Sequence, residues 1–417
     1  MAYAEKVFKV KSGKRTTKYT WRARYKKPDG TWGSEPGFPT KTTAEKWGEE
    51  QEAAIRSGRW VDPALARKTF GEFAEQWMAA QRPRGQTVMN RRERLTQTIL
   101  PRWRNVALAD ITWFEVEAWA RSLSCAHVTT KICVRLMSQI LTGAVDARYL
   151  AVNPLQGRRL GGLPAEASNR RKTEHEDMWA RPEEVLQMAR RLGPVDGLLV
   201  LSTAFLGLRV EEVLGLHQRN TLLTRRQQHD NRVFSCPVVR IDKVDGALVE
   251  YYKYGDEGKR IKWRGLEPPK NSQSARDVDV PPFLADLLAA RLESWPHPFV
   301  FARADGSWWP RGTLTGVIRK VADGWQPSAR ARTRVEVWEP IKPGLSMRDL
   351  RHSHDTYQAQ IGVKPVLAFE QAGHKYPGIK GTYQHATPDM RQERLDGLQG
   401  LFERALGNLG WRSVWES

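Results

Sequence analysis

Cysteine is scarce. The 417 residues hold three, Cys125, Cys133 and Cys236. They form no C-x-x-C pair and leave an odd thiol, which argues against a disulfide framework or a cysteine zinc site and suits a reducing compartment. Acid is also short, with 47 Asp and Glu against 67 Lys and Arg, a formal net charge of +20 and a pI near 10.0. So large an excess predicts an anionic partner, most often nucleic acid. No uninterrupted apolar run approaches the ~20 residues of a membrane helix, so no membrane partner is expected. The opening MAYAEKVFKVK lacks an apolar signal core, so a cytoplasmic location is expected. No solenoid, coiled-coil or collagen-like repeat is visible. Gly255 to Lys259 lacks the spacing of a phosphate-cradling P-loop. His352 and His354 form an H-x-H with no carboxylate or cysteine set beside it, so no metal site is expected.

What is present divides into three stretches. Residues 1–62 read as a small basic domain. Tyr19, Trp21, Ala23 and Tyr25 alternate with Thr20, Arg22, Arg24 and Lys26, giving a strand with one aromatic and one cationic face. Lys27-Pro28-Asp29-Gly30 is a turn, and a shorter strand follows around Thr31 to Phe38. Thr42 and Glu45 have capping-box spacing ahead of a helix ending near Gly58. Three strands with one packed helix is the simplest fold. Arg22, Arg24 and Lys26 are candidate DNA-binding residues; the alternative is a cationic face that is merely solvated.

Residues 69–155 read as helical. Phe70, Phe73, Ala74 and Trp77 fall at i, i+3, i+4 and i+7. A basic helix with Arg91, Arg92 and Arg94 follows, then one starting at Leu108 to Thr112 and one over Val128 to Ala147, which Asn153-Pro154 stops. Arg91 and Arg92 are further candidate DNA contacts, with a plain helical bundle as the alternative. Gln156 to Glu176 is Gly-, Arg- and Pro-rich and reads as a linker. Residues 172–409 then alternate helical and strand patterns. Val238, Arg240, Asp242 and Leu248, Glu250, Tyr252 flank Asp245-Gly246, a hairpin signal. Pro388 to Leu409 is an amphipathic helix. The expected class is multidomain and mainly α with small β-sheets, an α+β chain.

The chemistry concentrates at Ser346 to His385, SMRDLRHSHDTYQAQIGVKPVLAFEQAGHKYPGIKGTYQH. Rejoining a phosphodiester without metal or ATP needs a nucleophile that conserves the bond energy, cations on the non-bridging oxygens, an acid for the leaving oxygen and a neutral donor. Tyr, Arg, Lys and His supply these. The stretch resembles the second signature box of the tyrosine recombinases, the phage-integrase family. Arg351 stands at the box's arginine, His374 follows in Gly-His, and Tyr383 lies nine residues on (383 − 374 = 9). Arg348 departs from the pattern, standing where His is usual. Upstream, Leu206 to Leu216 resembles the first box, G-x-R-x-x-E-x-x-x-L, with Arg209 as its arginine and Glu212 as the supporting acid. The phrase PPKNSQSARDVDVPP resembles the family's P-K-T-x-x-S-x-R-x-V hairpin, which puts Lys270 at the family's lysine, with Lys253, Lys259 and Lys262 as competitors.

The resemblance implies a small sheet-plus-helix arm-binding domain over 1–62, a helical core-binding domain over 69–155 and a mixed, mostly helical catalytic domain over 172–409. It implies a site-specific DNA recombinase that integrates or excises a phage or mobile element. Tyr383 would be the nucleophile, Arg209 and Arg351 the phosphate clamp with His374 and Arg348 assisting, and Lys270 the acid. It implies no cofactor. The implied partners are double-stranded attachment sites, a homotetramer on DNA, and accessory bending or directionality factors, in association with the nucleoid of a bacterial host. Two other readings share features with it: a type IB topoisomerase-like strand cleaver, and a DNA-binding protein that has lost catalysis.

Overall fold

A computed structural model describes residues 1–11, 14–58, 60–82, 84–161, 178–229, 232–254, 259–326, 337–377 and 385–415. Tyr383 and most of the linker fall outside the described residues. The chain forms two compact units, Met1–Ser168 and Asn169–Ser417.

In the first unit, strands β1 (Tyr3–Lys11), β2 (Lys14–Lys26) and β3 (Trp32–Phe38) make an antiparallel sheet in the order β1-β2-β3. Helix α1 (Lys41–Arg56) packs on one face. Alternation along β2 sends Ala23 and Tyr25 inward, where Tyr25 meets Trp47 edge-on with ring centres 5.6 Å apart. Gly33 pairs with Tyr25 across the strands, and a Cβ there would come 2.4 Å from the tyrosine ring. The helix starts two residues earlier than the Thr42–Glu45 spacing suggests. Thr40 takes the extended cap conformation, and its hydroxyl accepts from the Thr43 backbone N–H. Capping needs a non-helical residue just before the first turn, and Thr42 is already inside it.

Helices α2 (Phe70–Ala80), α3 (Gly85–Arg94), α4 (Trp113–Ser122) and α5 (His127–Asp146) form a second core in the same unit, around Phe70, Ile99, Trp103, Met137 and Ile140. α3 runs on through a π turn, Leu95–Ile99, into Leu100–Trp103. Leu108–Asp110 is a 3₁₀ turn, and Thr112 is the cap that starts α4.

The second unit is built on α6 (Pro182–Leu206). This helix breaks at Gly193-Pro194, and its second half, from Gly197 to Leu206, is buried throughout. Around it lie α7 (Val210–Leu214), α8 (Pro282–Glu293), α9 (Arg311–Asp323), α10 (Met347–Gln360), α11 (Pro365–Ala372) and α12 (Pro388–Leu409). α12 folds back on its own core, with Leu398 fully buried and Phe402 stacked on Phe283 at 3.8 Å.

Strands β4 (Thr221–Leu222), β7 (Val238–Ile241) and β10 (Arg276–Asp279) form a small sheet in the order β10-β7-β4. β5 (Arg226–His229) pairs with β6 (Arg232–Ser235), and β8 (Ala247–Tyr254) with β9 (Arg260–Glu267). The hairpin expected around Asp245-Gly246 is therefore not a hairpin. The turn is present, with the Gly246 N–H donating to the Asp242 carbonyl at 3.1 Å. Both edges of β7 are already occupied, by β4 and β10, so β8 leaves that sheet and takes β9 as its partner.

Candidate active site

The first arginine is placed by a glycine. α6 ends at Gly207, which has φ 66° and ψ 30°. That left-handed conformation costs a side chain energy, and a Cβ here would also come 2.5 Å from the His354 ring. The chain turns at once, and Arg209 becomes the cap residue of α7. Its backbone N–H donates to Glu212 Oε2 at 3.0 Å and its Nη1 to Glu212 Oε1 at 2.6 Å. Glu212 is 2 % exposed. Burial alone would raise its carboxyl, but Arg276 above all, then Arg209, hold it below the ordinary carboxylate range.

Arg351 comes from the first turns of α10. Its Nη1 donates to the Gly207 carbonyl at 2.5 Å and its Nη2 to the Ala372 carbonyl at 2.7 Å. These two carbonyls belong to the ends of α6 and α11, where helical carbonyls lack intrahelical partners. Burial, then the neighbouring Arg209, pulls the Arg351 guanidinium down to about 10, against the opposing pull of Glu212. It stays a cation at neutral pH. His374 follows Gly373, the left-handed cap of α11 with φ 64°. Its Nε2 lies 3.5 Å from Arg351 Nη2. Burial, then Arg351 and Arg209, lowers the imidazole from its usual range, so it is neutral at pH 7.

Arg209, Glu212, Arg351 and His374 thus share one pocket. Lys270 lies just past β9, exposed, with no hydrogen bond or ion pair among the described residues. The 3₁₀ turn Ser272–Ser274 follows it, and Ser274 Oγ accepts from Arg209 Nη1 at 3.3 Å. Of the competing lysines, Lys262 is 2.8 Å from Glu250, and Lys253 lies over the Trp263 ring at 4.3 Å. Arg348 is exposed on α10, and its Nε donates to His352 Nε2 at 3.3 Å. The H-x-H pair splits, because His354 is fully buried and held down to about 3, chiefly by burial and then by Arg394.

The candidate DNA contacts lie in the first unit. Arg22 and Arg24 both donate to Glu5 Oε1 at 3.1 Å, and Lys26 is exposed. Arg91 stands over the Trp77 ring at 5.2 Å, while Arg92 is exposed.

Sequence reasoning passed over Arg276. This residue donates to both oxygens of Glu212, at 3.2 and 3.1 Å, and to the carbonyls of Ser274 and Gln371 at 2.8 and 2.6 Å. The signal was there in the S-x-R-x-V phrase, whose arginine alternates with Val278 on β10. Its partners Glu212 and Gln371, however, are 64 and 95 residues away.

No family model matches the chain. A protein described as the predicted integrase of prophage phiRv2, from Mycobacterium tuberculosis, is 25% identical over 391 residues, covering 92% of this chain and 93% of that one. The integrase of Mycobacterium phage L5 is 20% identical over 373 residues, covering 86% and 88%. Among solved structures, the Tn1549 transposon integrase, captured with a circular intermediate DNA, superposes with a TM-score of 0.50 at 13% identity over 79% of this chain and 99% of that one. Likeness of sequence along nearly the whole chain and likeness of fold agree: the chain is similar to phage integrases throughout and shares its fold with a transposon integrase.

Proposed function

We propose that the protein is a site-specific DNA recombinase that cuts and rejoins strands through a 3′-phosphotyrosyl intermediate, integrating or excising a phage or mobile element. The observation that carries this reading is the pocket in which Arg209, Arg351 and His374 converge around buried Glu212. Two guanidinium groups and a neutral imidazole are a preorganised receptor for a pentacoordinate phosphate, whose equatorial oxygens carry the developing charge.

In this reading the Tyr383 hydroxyl releases its proton to solvent as its oxygen attacks the scissile phosphorus, and the bond to the 5′-oxygen breaks. Lys270 gives that oxygen its proton, so a free 5′-hydroxyl leaves. Arg209 and Arg351 hold the non-bridging oxygens, His374 donates to one of them, and Arg348 adds positive charge at the rim. A 5′-hydroxyl from the partner duplex then attacks the phosphotyrosine, passing its proton to Lys270, and the tyrosine leaves and regains a proton from solvent. The covalent link stores the bond energy, so the strand exchange itself requires no nucleotide.

Residues 1–62 would bind arm-type sites through the face bearing Arg22, Arg24 and Lys26. Residues 69–155 would grip the core site, with Arg91 and Arg92 against the backbone, and 172–409 would carry the chemistry. A homotetramer on the synapsed duplexes, accessory bending or directionality factors, and association with the nucleoid complete the reading. Support for an arm domain comes from the sheet, which presents cationic side chains on the face that α1 leaves open.

The test is covalent trapping on nicked suicide duplexes tiled across the DNA flanking the gene. A trapped complex that disappears in Tyr383→Phe is expected, together with strand exchange between two sites. Binding without trapping on any tile would leave only the DNA-binding reading. Trapping without exchange would favour a topoisomerase-like cleaver.

A further inference from the structure

The pocket described above is held together by a residue that does not face it. Arg276 has a side chain only 5 % exposed, so it cannot hold a phosphate as Arg209 and Arg351 are placed to do. Four N–H···O contacts nevertheless radiate from its guanidinium to three different segments. Nη1 and Nη2 take the two oxygens of Glu212, on α7, whose carboxylate in turn fixes Arg209. Nη1 also takes the Ser274 carbonyl, in the turn that follows Lys270. Nε takes the Gln371 carbonyl, three residues before His374.

The fit is close on the remaining side. A Cβ on Gly373 would come 2.9 Å from Arg276 Nη1 and 3.1 Å from Ser274 Cα. The absence of a side chain at 373 is therefore what lets the guanidinium reach both α7 and the end of α11. Only a planar fork with several donors in fixed directions can satisfy a carboxylate edge and two carbonyls at once; an ammonium on a flexible stem offers a point charge.

We infer that Arg276 is a positioning residue for strand cleavage: it locks Arg209, the Lys270 turn and His374 into one arrangement through Glu212, Ser274 and Gln371. The inference rests on the recombinase reading of this site. Misplacing a reacting group by about 1 Å costs on the order of 10² in rate, and three groups depend on this one anchor.

The experiment measures single-turnover covalent trapping on the suicide duplex as a function of pH, with duplex affinity and thermal stability in parallel, for wild type, Arg276→Gln and Arg276→Lys. The charged groups facing Glu212 are Arg209 on α7, Arg276 on β10 and Arg351 on α10, whose Nη1 is 3.8 Å from Oε2. Of these, Arg276 holds the carboxyl down most. Removing it lets Glu212 titrate at higher pH, so the acid limb of cleavage moves up.

Arg276→Gln is expected to cleave about 10²-fold more slowly, bind duplex within a few-fold of wild type, and show the raised acid limb. Arg276→Lys is expected to recover less than a tenth of the lost rate, because charge without the fork does not rebuild the three-way contact. If the Gln variant does not fold, the Lys variant decides alone, by a rate loss at matched folded fraction. Wild-type rates in a folded variant would overturn the inference, as would a rate that merely follows the folded fraction with an unmoved acid limb. Wild type that binds the duplex but never traps would instead sink the recombinase reading, and this inference with it.

Discussion

Arginine is used in two opposite ways in this chain. In the second unit Arg209, Arg276 and Arg351 crowd around one carboxylate, Glu212, which is 2 % exposed. In the first unit Arg22 and Arg24 also share one carboxylate, Glu5, but there all three side chains are about a third exposed. The chemistry of the contact is the same and burial differs. Water screens the surface cluster, which can exchange Glu5 for another anion at little cost. The buried cluster has no such freedom. Its cations are fixed before any ligand arrives, which is what charge stabilisation in a transition state demands.

The comparison is broken most severely at Glu212. Glu212→Gln leaves Arg276 almost fully buried beside a neutral amide, and the loss of a buried ion-pair partner costs about 3–5 kcal/mol. Urea denaturation at pH 7 should read a loss of that size. The pH dependence has a definite sign. The carboxyl of Glu212 is lowered in the folded protein, so its contribution to stability is fully present above the unfolded glutamate value of about 4.3. It is lost as pH falls through the lower folded value. Wild type and Glu212→Gln should therefore differ by the full amount above about pH 4.3 and converge only once pH has fallen below the lowered folded value. Equal stability at pH 7 would mean that the carboxylate is not the keystone of the cluster.

Arg351→Lys tests geometry rather than charge. The lysine keeps a cation but cannot donate to the Gly207 and Ala372 carbonyls while also facing a phosphate. Single-turnover cleavage is expected to fall by about 10²–10³, with the folded fraction nearly unchanged. Retention of more than a third of the wild-type rate would show that the site needs only positive charge at this position.

How much of this was legible beforehand follows from sequence distance. Arg209 and Glu212 are three residues apart on one helix start, so their pairing could be read from spacing. The helical pattern of the second stretch, the three-stranded sheet and the amphipathic span of α12 were equally readable, because periodicity is a local property. What could not be read was pairing across long separations. The apparent hairpin around Asp245-Gly246 was well formed as a turn signal, but the partner of β7 is β10, 35 or more residues on, and local pattern does not reveal it. Arg276 was quoted within a motif and passed over for the same reason. The partners that α12 packs against, Phe283 among them, are matched by packing and not by sequence pattern.

Gly373→Ala probes the closeness of the buried cluster. The residue sits at φ 64°, and the added Cβ would press on the Arg276 guanidinium and on Ser274 Cα. Backbone strain of this kind costs about 1–3 kcal/mol. Thermal unfolding should register it, and cleavage should slow as well, because the displaced groups are those beside His374. A stable variant with a normal rate would show that the cluster tolerates movement, contrary to its hydrogen-bond geometry.

The smallest effect belongs to the exposed cluster, and there the sign reverses. Glu5→Gln removes the only ion-pair partner that Arg22 and Arg24 have among the described residues. Exposed pairs of this kind are worth about 0.2–1 kcal/mol, so stability should drop by no more than that. The freed guanidinium groups should gain as DNA ligands. Duplex affinity measured on the full chain at low salt should rise several-fold. The slope of log K against log salt should steepen by about 0.9 for each additional phosphate engaged. The gain follows if the cationic face of the sheet meets phosphates, since Glu5 now competes with them for the same two side chains. An unchanged slope would mean that this face stays in solvent when the protein is on DNA, and the exposed arginines would then share with the buried ones nothing beyond their residue type.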